Sequence, residues 1–251
     1  MNSLYISSTG MINQQYNIDV ISNNLANINT SGFKKSEISF KDLNYKKINN
    51  GESSLNEIGL GSGIGSIKKN FSQGVLKETG NPLDLAIDGK GFFKIKLSDG
   101  SAAYTRDGSF RLNGDGEIVN ADGYYLEPSI TIPEEYSEVS ISEDGIISVK
   151  SETSDDTSEI GKISLYKFNN PSGLKNIAGN LFQETDASGP AGEITESDSS
   201  IKIIQNFLET SNINVIEEMV NMIAAQRAYE INSKAVKASD EMMEMANSVR
   251  R

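Results

Sequence analysis

The sequence predicts an α+β protein, in which a central and mainly antiparallel β domain lies between a long helix at each end of the chain. Three observations support this fold class. Apolar residues recur every seven positions near both ends, short strand-like runs separated by turn dipeptides fill the middle, and a polar, glycine-rich stretch precedes the strands. Because both end segments carry a seven-residue apolar repeat, the two helices are expected to form a coiled-coil-like pair.

The N-terminal segment, residues 1–34, is predicted to be an assembly helix. Between residues 3 and 29 its main apolar row has a period of seven and consists of Leu4, Met11, Ile18 and Leu25. A companion row holds Ile21 and Ile28, but its earlier positions are Ser7 and Gln14. The helix is expected to break at residues 29–32, Asn-Thr-Ser-Gly, because these residues favour turns and helix C-caps.

Residues 35–80 are predicted to be an extended ribbon or linker. Lys, Asn, Ser and Gly dominate this stretch, and glycine occupies every second position from Gly59 to Gly65. Such an alternation favours an extended or flexible chain over a helix. The Gly-x-x-x-x-Gly-Lys-Ser/Thr spacing of a phosphate-binding loop is missing, so no nucleotide site is assigned here.

Residues 81–200 are predicted to form the central β domain. Asp-Gly and Asn-Gly dipeptides favour hairpin turns, and they recur at residues 88–89, 99–100, 107–108, 113–114, 115–116, 122–123 and 144–145. Short alternating runs lie between these turns, such as Phe-Phe-Lys-Ile-Lys-Leu at residues 92–97. The close spacing of the turns predicts a meander of short antiparallel strands, whose sheet has one buried face.

The C-terminal segment, residues 201–251, is predicted to be a second assembly helix, with its helical pattern over residues 212–249. Asn214, followed by Glu217, resembles a capping box. The main apolar row again has a period of seven and consists of Val215, Met222, Tyr229, Val236 and Met243. A second row makes the apolar face wide enough to meet more than one neighbour, and it contains Val220, Ile223, Ile231, Met242 and Met245.

The apolar faces of the two helices are the candidate assembly surface. Its residues are Leu4, Met11, Ile18, Ile21, Leu25, Ile28, Val215, Met219, Met222, Ile223, Tyr229 and Val236. Exposed on a monomer, such faces would be a liability. The helices could pair with each other, pair with other subunits, or stay disordered until assembly. The alternative is an ordinary α+β domain whose end helices pack on their own sheet.

Composition excludes several classes of function. The 251 residues carry a formal charge of −12, which disfavours nucleic acids and anionic membrane surfaces as partners. No apolar run approaches the roughly 18–20 residues that cross a bilayer. Without cysteine or histidine the chain lacks disulfides and the commonest metal ligands, so no metal and no cofactor is expected. The N-terminus lacks a signal-peptide pattern, which fits a cytoplasmic protein or export without a cleaved signal.

Three patterns are typical of catalytic or metal sites, and none supports an assignment. Asp107, Asp115, Glu117 and Asp122 offer the paired carboxylates that glycosidases use, but Asp-Gly turns already explain the three aspartates. Residues 113–117 have the ingredients of a calcium loop without its spacing. Ser-x-x-Lys occurs at residues 31–34 and 66–69 without the boxes that accompany it in penicillin-recognising enzymes. A carboxylate-dependent hydrolase stays the alternative from a different functional class.

Specific motifs occur along nearly the whole chain. Ala-Asn-Ile-Asn-Thr-Ser-Gly-Phe-Lys at residues 26–34 is similar to the signature that ends the first helix in the flagellar rod and hook protein family. Residues 81–93, with Asp-Gly-Lys-Gly-Phe-Phe, and residues 104–110 resemble the start of its β domain. Residues 208–230 contain Leu-Glu-Thr-Ser-Asn, Glu-Glu-Met-Val and Gln-Arg-Ala-Tyr-Glu in that order, and they resemble its closing helix.

Within the family, the chain is most similar to the distal-rod type. The run Asn-Leu-Phe-Gln-Glu-Thr at residues 180–185, followed by Ser188-Gly189, carries this resemblance together with the length. Hook proteins usually carry a further outer domain, for which this chain has no room. Residues 53–66 depart from the distal-rod pattern because they lack its proline-containing stretch. A proximal rod component of similar size is the alternative.

The resemblance implies a structural, self-assembling subunit of the flagellar basal body and not an enzyme. Its copies would form a hollow helical tube that transmits torque from the motor to the hook, with the paired end helices at the inner wall and the β domain outside. It implies export through the flagellar type III apparatus without a cleaved signal. The implied partners are further copies of the chain, other rod and hook subunits, and the export apparatus.

Overall fold

The structure is a computed structural model that describes residues 2–47, 57–133, 136–151, 157–194 and 201–249. It divides into two compact units. The helical unit consists of Met1–Ala26, Ser36–Lys69 and Ile213–Arg251, and the β unit consists of Asn27–Lys35 and Asn70–Asn212. The predicted α+β class is confirmed, with one helix near each end and mainly antiparallel sheets between them.

The helical unit contains both α-helices of the described chain and four short strands. Its elements are α1 (Asn2–Ala26), β1 (Ser36–Asp42), β2 (Tyr45–Lys47), β3 (Glu57–Gly59), β4 (Ser62–Lys69) and α2 (Val215–Val249). β1 pairs with β4, and β2 pairs with β3, both antiparallel. The predicted ribbon therefore contains paired strands, although the first part of the stretch at residues 53–66 lies outside the described residues.

Local capping rules place the ends of both helices. α1 ends at Ala26 and is followed by a turn that includes the predicted break at residues 29–32. Gly32 has a φ of +67°, a conformation that favours glycine. At the start of α2 the side-chain oxygen of Asn214 accepts hydrogen bonds from the backbone N–H groups of Ile216 and Glu217, at 3.1 and 3.4 Å. Asn214 is therefore the N-cap that the sequence predicts.

The β unit is built from short strands and one 3-10 helix, Pro171–Gly173. The strands are β5 (Leu76–Glu78), β6 (Leu85–Asp88), β7 (Phe92–Lys96), β8 (Ala102–Thr105), β9 (Arg111–Leu112), β10 (Ile118–Val119), β11 (Tyr125–Glu127), β12 (Tyr136–Ile141), β13 (Ile146–Ser151), β14 (Thr157–Lys162), β15 (Leu165–Lys167), β16 (Lys175–Asn176), β17 (Leu181–Gln183), β18 (Gly192–Glu193), β19 (Lys202–Gln205) and β20 (Phe207–Glu209).

The strand order is more complex than the predicted meander. The largest sheet among the described residues runs β16-β17-β8-β7-β11-β10-β9, and β15 also pairs with β7 and carries β18 on its other side. A second sheet has the order β12-β13-β14, and β19 pairs with β6 and β20 with β5. All these pairs are antiparallel. Strands that lie just before α2 in the sequence thus pair with strands near the start of the β unit.

The core of the β unit lies on both faces of its central strand. Phe93 and Ile95 of β7 belong to a large aliphatic cluster that also contains Leu126 and Ile147. Phe92, the neighbouring residue of β7, points into a second cluster that is mostly aromatic. The prediction of one buried face is therefore too simple for β7, because a strand covered on both faces buries consecutive side chains.

Two predicted turns show why glycine occurs there. Gly116 and Gly145 have φ values of +78° and +83°, and each follows an aspartate in the chain. A side chain at either position would be strained by the backbone conformation and would meet a main-chain carbonyl oxygen. Within the part of the chain that the structure describes, neither helix is both long and apolar enough to span a membrane.

Candidate assembly surface and a buried charge cluster

The two helices of the helical unit run antiparallel and touch along most of α1. Asn24 donates a hydrogen bond to Oε2 of Glu218 at 3.0 Å, and the hydroxyl of Ser239 lies 3.3 Å from that of Ser3. Between these two points a methyl group on Gly10 would lie 2.9 Å from Nδ2 of Asn232. Each step of seven or fourteen residues along α1 is matched by an equal step backwards along α2, so one register accounts for all three contacts.

The side chains buried along this helix pair are mostly small or polar. The buried residues of the two helices are Ser7, Asn13, Ile21, Asn24, Glu218, Ala225 and Ser239. Apart from Ile21 and Ala225 they all carry hydrogen-bonding groups. Most large apolar side chains of the two helices therefore lie outside this contact.

The large apolar side chains lie on the exposed faces of the helices. On α1 these are Tyr5, Ile12 and Tyr16, and on α2 they are Val215, Ile216, Met219, Val220, Ile223, Tyr229, Ile231, Met242 and Met245. Ile216 is 75% exposed and Ile231 is 65% exposed. Isolated exposed apolar residues need no explanation, but a row along a whole helix is typical of a surface that meets other molecules.

The residues nominated from the sequence fall into three groups by exposure. Ile21 is buried. Leu4, Met11, Ile18, Leu25, Met222 and Val236 are half-buried, while Val215, Met219, Ile223 and Tyr229 are exposed. Ile28 is also half-buried, but it lies in the turn after α1 and belongs to the β unit, because the helix ends three residues earlier than its apolar repeat predicts. Periodicity missed the residues at the contact itself, namely Gly10, Asn24, Asn232 and Ser239. They were detectable, because Ser3, Gly10, Asn17 and Asn24 also lie seven apart.

α1 also binds the neighbouring strands through asparagine side chains. Nδ2 of Asn13 donates to the hydroxyl of Ser62 in β4 at 2.7 Å. Asn24 accepts a hydrogen bond from the backbone N–H of Ser36 at 2.8 Å and donates to its carbonyl oxygen at 2.9 Å. Asn24 therefore connects α1 to the start of β1 and to α2 at once, with 1% of its surface exposed.

A separate cluster of charges is buried inside the β unit. Glu209 lies between two cations: its Oε1 is 2.5 Å from Nζ of Lys34, and its Oε2 is 3.1 Å from a guanidinium nitrogen of Arg106. Oε1 also accepts a hydrogen bond from the backbone N–H of Gly74 at 2.7 Å. The three side chains have at most 2% of their surface exposed.

Both cations also donate hydrogen bonds to backbone carbonyl oxygens. Nζ of Lys34 donates to Ser72 at 2.8 Å, and Arg106 donates to Gly89 at 2.5 Å. The guanidinium also lies over the ring of Phe92, 5.4 Å from its centroid. Among the described residues the Nε of Arg106 is buried without a hydrogen-bond partner.

Burial shapes the electrostatics of this cluster. It lowers the pKa of Lys34 below its ordinary value, and the nearby charge of Arg106 lowers it further. The carboxylate of Glu209 acts in the opposite direction and raises this pKa. Burial likewise lowers the pKa of Arg106, again opposed by Glu209. One carboxylate is thus shared by two desolvated cations, and removing it would leave both without their counter-ion.

The charge cluster joins the motifs from the two ends of the chain. Lys34 closes the motif at residues 26–34, and Glu209 belongs to the motif that begins at Leu208. The backbone N–H of Gly32 donates to the carbonyl oxygen of Glu209 at 2.8 Å, and that of Lys35 donates to the side chain of Asn212 at 2.8 Å. The two motifs are therefore neighbours inside the β unit, although they are far apart in sequence.

The acidic residues weighed for catalysis lie in the connections between strands β8 and β11. Asp107 accepts two hydrogen bonds from Ser109, and burial raises the pKa of its carboxyl group. Asp115 is exposed on its turn, and Glu117 accepts a hydrogen bond from Asn113. Within the described ranges no three potential metal-ligating side chains come together.

Family models match three parts of the chain in the order of its elements. Residues 4–34 match "Flagella basal body rod protein", residues 86–149 match "Flagellar hook protein FlgE/F/G D1 domain", and residues 204–249 match "Flagellar basal body rod FlgEFG protein C-terminal". The match at residues 4–34 includes most of α1 and Lys34 of the charge cluster. The match at residues 204–249 includes α2 and Glu209.

Curated relatives match over the full length. The flagellar basal-body rod protein FlgG of Borreliella burgdorferi is 46% identical over 100% of this chain and 99% of its own length. FlgG of Bacillus subtilis is 38% identical over 100% of both chains. The flagellar basal-body rod protein FlgF of Caulobacter vibrioides is 31% identical over 98% of this chain and 96% of its own length.

Proposed function

Since the chain belongs to the flagellar basal-body rod protein family, we propose that its end helices form a coiled-coil-like pair through which copies assemble into a hollow helical rod. The chain is a structural subunit of the rod in the flagellar basal body and is not an enzyme. The predicted distal-rod type is supported over the proximal one, because FlgG proteins match at 38–46% identity and the FlgF protein at 31%.

The observation that supports assembly through the helices is their pattern of exposure. The helix pair buries small and polar side chains and leaves large apolar ones on its outer faces. Full burial of each such side chain is worth about 1.5–3 kcal/mol, so a row of them gives a strong driving force for association. When the same face meets a different face of the next copy and the contact does not close, the product is an open helical filament.

The nominated residues have a defined role in this proposal. The half-buried row of α1, with Leu4, Met11 and Ile18, flanks the intrachain contact and extends toward neighbouring copies. The exposed residues of α2, above all Met219 and Ile223, pack against other copies along the inner wall of the tube. Residues 1–34 and 201–251 contain the assembly helices, residues 35–80 an extended ribbon, and residues 81–200 most of the β domain. The compact β unit also includes residues 27–35, 70–80 and 201–212.

A rod built in this way transmits torque through distributed contacts. No single residue carries the load, because each copy repeats the same helix contacts along the tube. The partners are other copies, other rod and hook subunits, and the flagellar type III export apparatus. Paired carboxylates for hydrolysis receive no support from the relatives, whose names describe rod proteins.

Electron microscopy of basal bodies tests the proposal. Cells that carry a tagged copy of the chain are expected to show the tag along the rod. In the same strain Ile223→Glu, on the exposed apolar face of α2, is expected to abolish the rod because each copy would bring a charge into the contact. Asn221→Glu, which adds the same charge at an exposed polar position on a different side of α2, is the matched control and should leave the rod intact. A normal rod with Ile223→Glu would contradict assembly through this face.

A further inference from the structure

We propose that the polar contact between α1 and α2 sets the register of the helix pair and thereby reserves the large apolar side chains for other copies. The polar seam is defined as Ser3, Gly10 and Asn24 of α1 with Glu218, Asn232 and Ser239 of α2. This inference rests on the proposed function, since it concerns how one chain prepares a surface for the next. It assigns a specificity role to residues that the apolar periodicity does not include.

The first step of the argument is that the polar seam is a poor source of stability. A buried hydrogen bond contributes little net free energy, because both groups bind water in the unfolded chain. Burying the amide of Asn24 and the carboxylate of Glu218 costs free energy, which the hydrogen bond between them offsets. Apolar side chains of similar size would associate at least as well, so stability alone does not explain the polar residues.

The second step is that only one register satisfies the polar seam. In the observed register the amide of Asn24 donates to Glu218 at 3.0 Å, and both side chains are at most 4% exposed. A slip of seven residues toward the end of α2 would place Asn24 opposite Ala225. Glu218 would then face the chain beyond the end of α1, and the hydrogen bond between Asn24 and Glu218 would be lost. The opposite slip would leave Ser239 without a facing residue on α1.

The third step concerns the close approach at Gly10. Glycine weakens a helix interior, so it needs a local reason. A methyl group there would lie 2.9 Å from Nδ2, 3.0 Å from Oδ1 and 3.1 Å from Cγ of Asn232, so the side-chain amide lies directly against the backbone of α1. In the slipped registers Gly10 would face Ser239 or Ala225, and the fit between glycine and the amide would be lost.

The consequence is a division of tasks between the two kinds of side chain. In coiled coils a single buried polar residue selects register and partner at a cost in stability. Here the polar residues fix the partner as the other end of the same chain, and the adjacent apolar rows stay available for different copies. A uniformly apolar contact would instead allow α1 to pair with α2 of another copy or in a shifted register.

Cysteine cross-linking in assembled rods tests the register directly, because the chain has no cysteine of its own. Ser3→Cys with Ser239→Cys reports the observed register, since the two hydroxyls lie 3.3 Å apart. Ser3→Cys with Ala246→Cys reports a slip of seven residues. Purified basal bodies are oxidised, and the chains are separated by denaturing electrophoresis without reductant. Intrachain disulfides are expected with the first pair only.

The decisive variant replaces the polar seam on α2 with Glu218→Leu and Asn232→Leu. Cross-linking of the first cysteine pair is expected to fall about threefold, with a matching rise in the slipped pair or in interchain dimers. The control is Glu241→Leu with Asn221→Leu, which makes the same two chemical changes at exposed positions of α2. It should leave the cross-linking pattern unchanged.

The outcomes separate this inference from the proposed function. Unchanged cross-linking in the seam variant would overturn the register role, even in cells that build normal rods. If the seam variant builds no rod, the same cysteine pairs are read in the purified chain, where a shifted pattern supports the inference and the original pattern overturns it. A correct register in a chain that never enters a rod would instead contradict the proposed function alone.

Discussion

Glu209 holds Lys34 at 2.5 Å in the interior of the β unit, and neither side chain is exposed to solvent. The two residues are 175 positions apart in the sequence. Lys34 follows the turn after α1, and Glu209 ends the last strand before α2. One buried ion pair therefore connects two segments that lie just before the chain passes from the β unit into β1 and into α2.

Replacement of Glu209 by Gln is expected to destabilise the β unit strongly. It would leave the buried cations Lys34 and Arg106 without a counter-ion, at a cost of about 3–5 kcal/mol. Urea unfolding followed by circular dichroism measures this change. Glu143→Gln breaks the exposed pair with Lys202 and should lower the free energy of unfolding far less, because solvent screens an exposed pair. Equal effects of the two variants would contradict a structural role for the buried cluster.

The free energy of unfolding is expected to fall as the pH rises from 10 to 12, in part because of Tyr104. Burial raises the pKa of its phenol from 10.0 to about 12, with a smaller effect of the nearby carboxylate of Glu184. Above pH 10 the unfolded chain loses this proton while the folded chain keeps it, so the contribution of Tyr104 is complete below pH 10 and lost as the pH approaches 12.

Tyr104→Phe removes this contribution to the pH dependence. The slope of unfolding free energy against pH should become shallower in the alkaline range, as measured by urea titrations at a series of pH values. Tyr125→Phe, at a side chain that is 39% exposed, is the matched control. A slope that is the same in wild type and Tyr104→Phe would show that the phenol does not titrate differently on folding.

Hydrogen exchange of the isolated monomer is expected to distinguish the two units. Residues 1–30 and 212–251 should be weakly protected, because the apolar faces of α1 and α2 lack the neighbouring copies that cover them. Residues 85–170 include the buried strands β6, β7 and β8 and should be strongly protected. Strong protection of both helices in a verified monomer would instead favour an ordinary α+β domain, in which the helices need no other copy.

Deletion of residues 215–251 is expected to leave a folded β unit in a non-motile strain. The two core clusters consist of Phe71 and of residues between Leu83 and Ile203, so the deletion removes none of them. Without α2, however, the apolar face that includes Met219, Met222 and Ile223 is lost. Near-native chemical-shift dispersion of the truncated protein and a swimming assay check the two halves of this prediction. Normal swimming would exclude α2 from the rod contact.

A charge in the apolar row should be more harmful than the loss of a carboxylate from a turn. Ile18 is half-buried on α1, and Ile18→Asp would cost about 2 kcal/mol or more per copy if the site is covered in the rod. Asp115→Asn keeps a residue that suits the same exposed turn and should be nearly silent. Motility and rod assembly are scored in strains that export both variants normally. A motile Ile18→Asp strain with a non-motile Asp115→Asn strain would contradict a structural rod subunit.

Local rules predicted the parts of the fold that depend on neighbouring residues. The N-cap at Asn214 and the break after α1 follow from capping and turn preferences, and the structure confirms both. The glycines at residues 116 and 145 have the positive φ that their turns require. These features need only a few residues of context, so one sequence is sufficient to find them.

Long-range partners could not be predicted in the same way. Apolar periodicity identified both helices, but it selected the row that contains Leu4 and Met11. The contact of α1 with α2 instead runs through Gly10 and Asn24. A seven-residue apolar repeat indicates that one face of a helix makes contacts, but it does not show whether the same chain or another copy covers that face. No local rule joins Lys34 to Arg106 and Glu209, because charge pairing across more than a hundred residues depends on the completed topology.

The pairing of Asn24 with Glu218 also sets an order of events during synthesis. The two residues are 194 positions apart, and Ser3 and Ser239 are 236 apart. α1 leaves the ribosome first, yet its partner helix is made only after the whole β unit. Contacts of such high sequence separation form late and slowly. The helical unit is therefore the last part of the chain to complete, and the length of the β unit sets the interval during which α1 is present without α2.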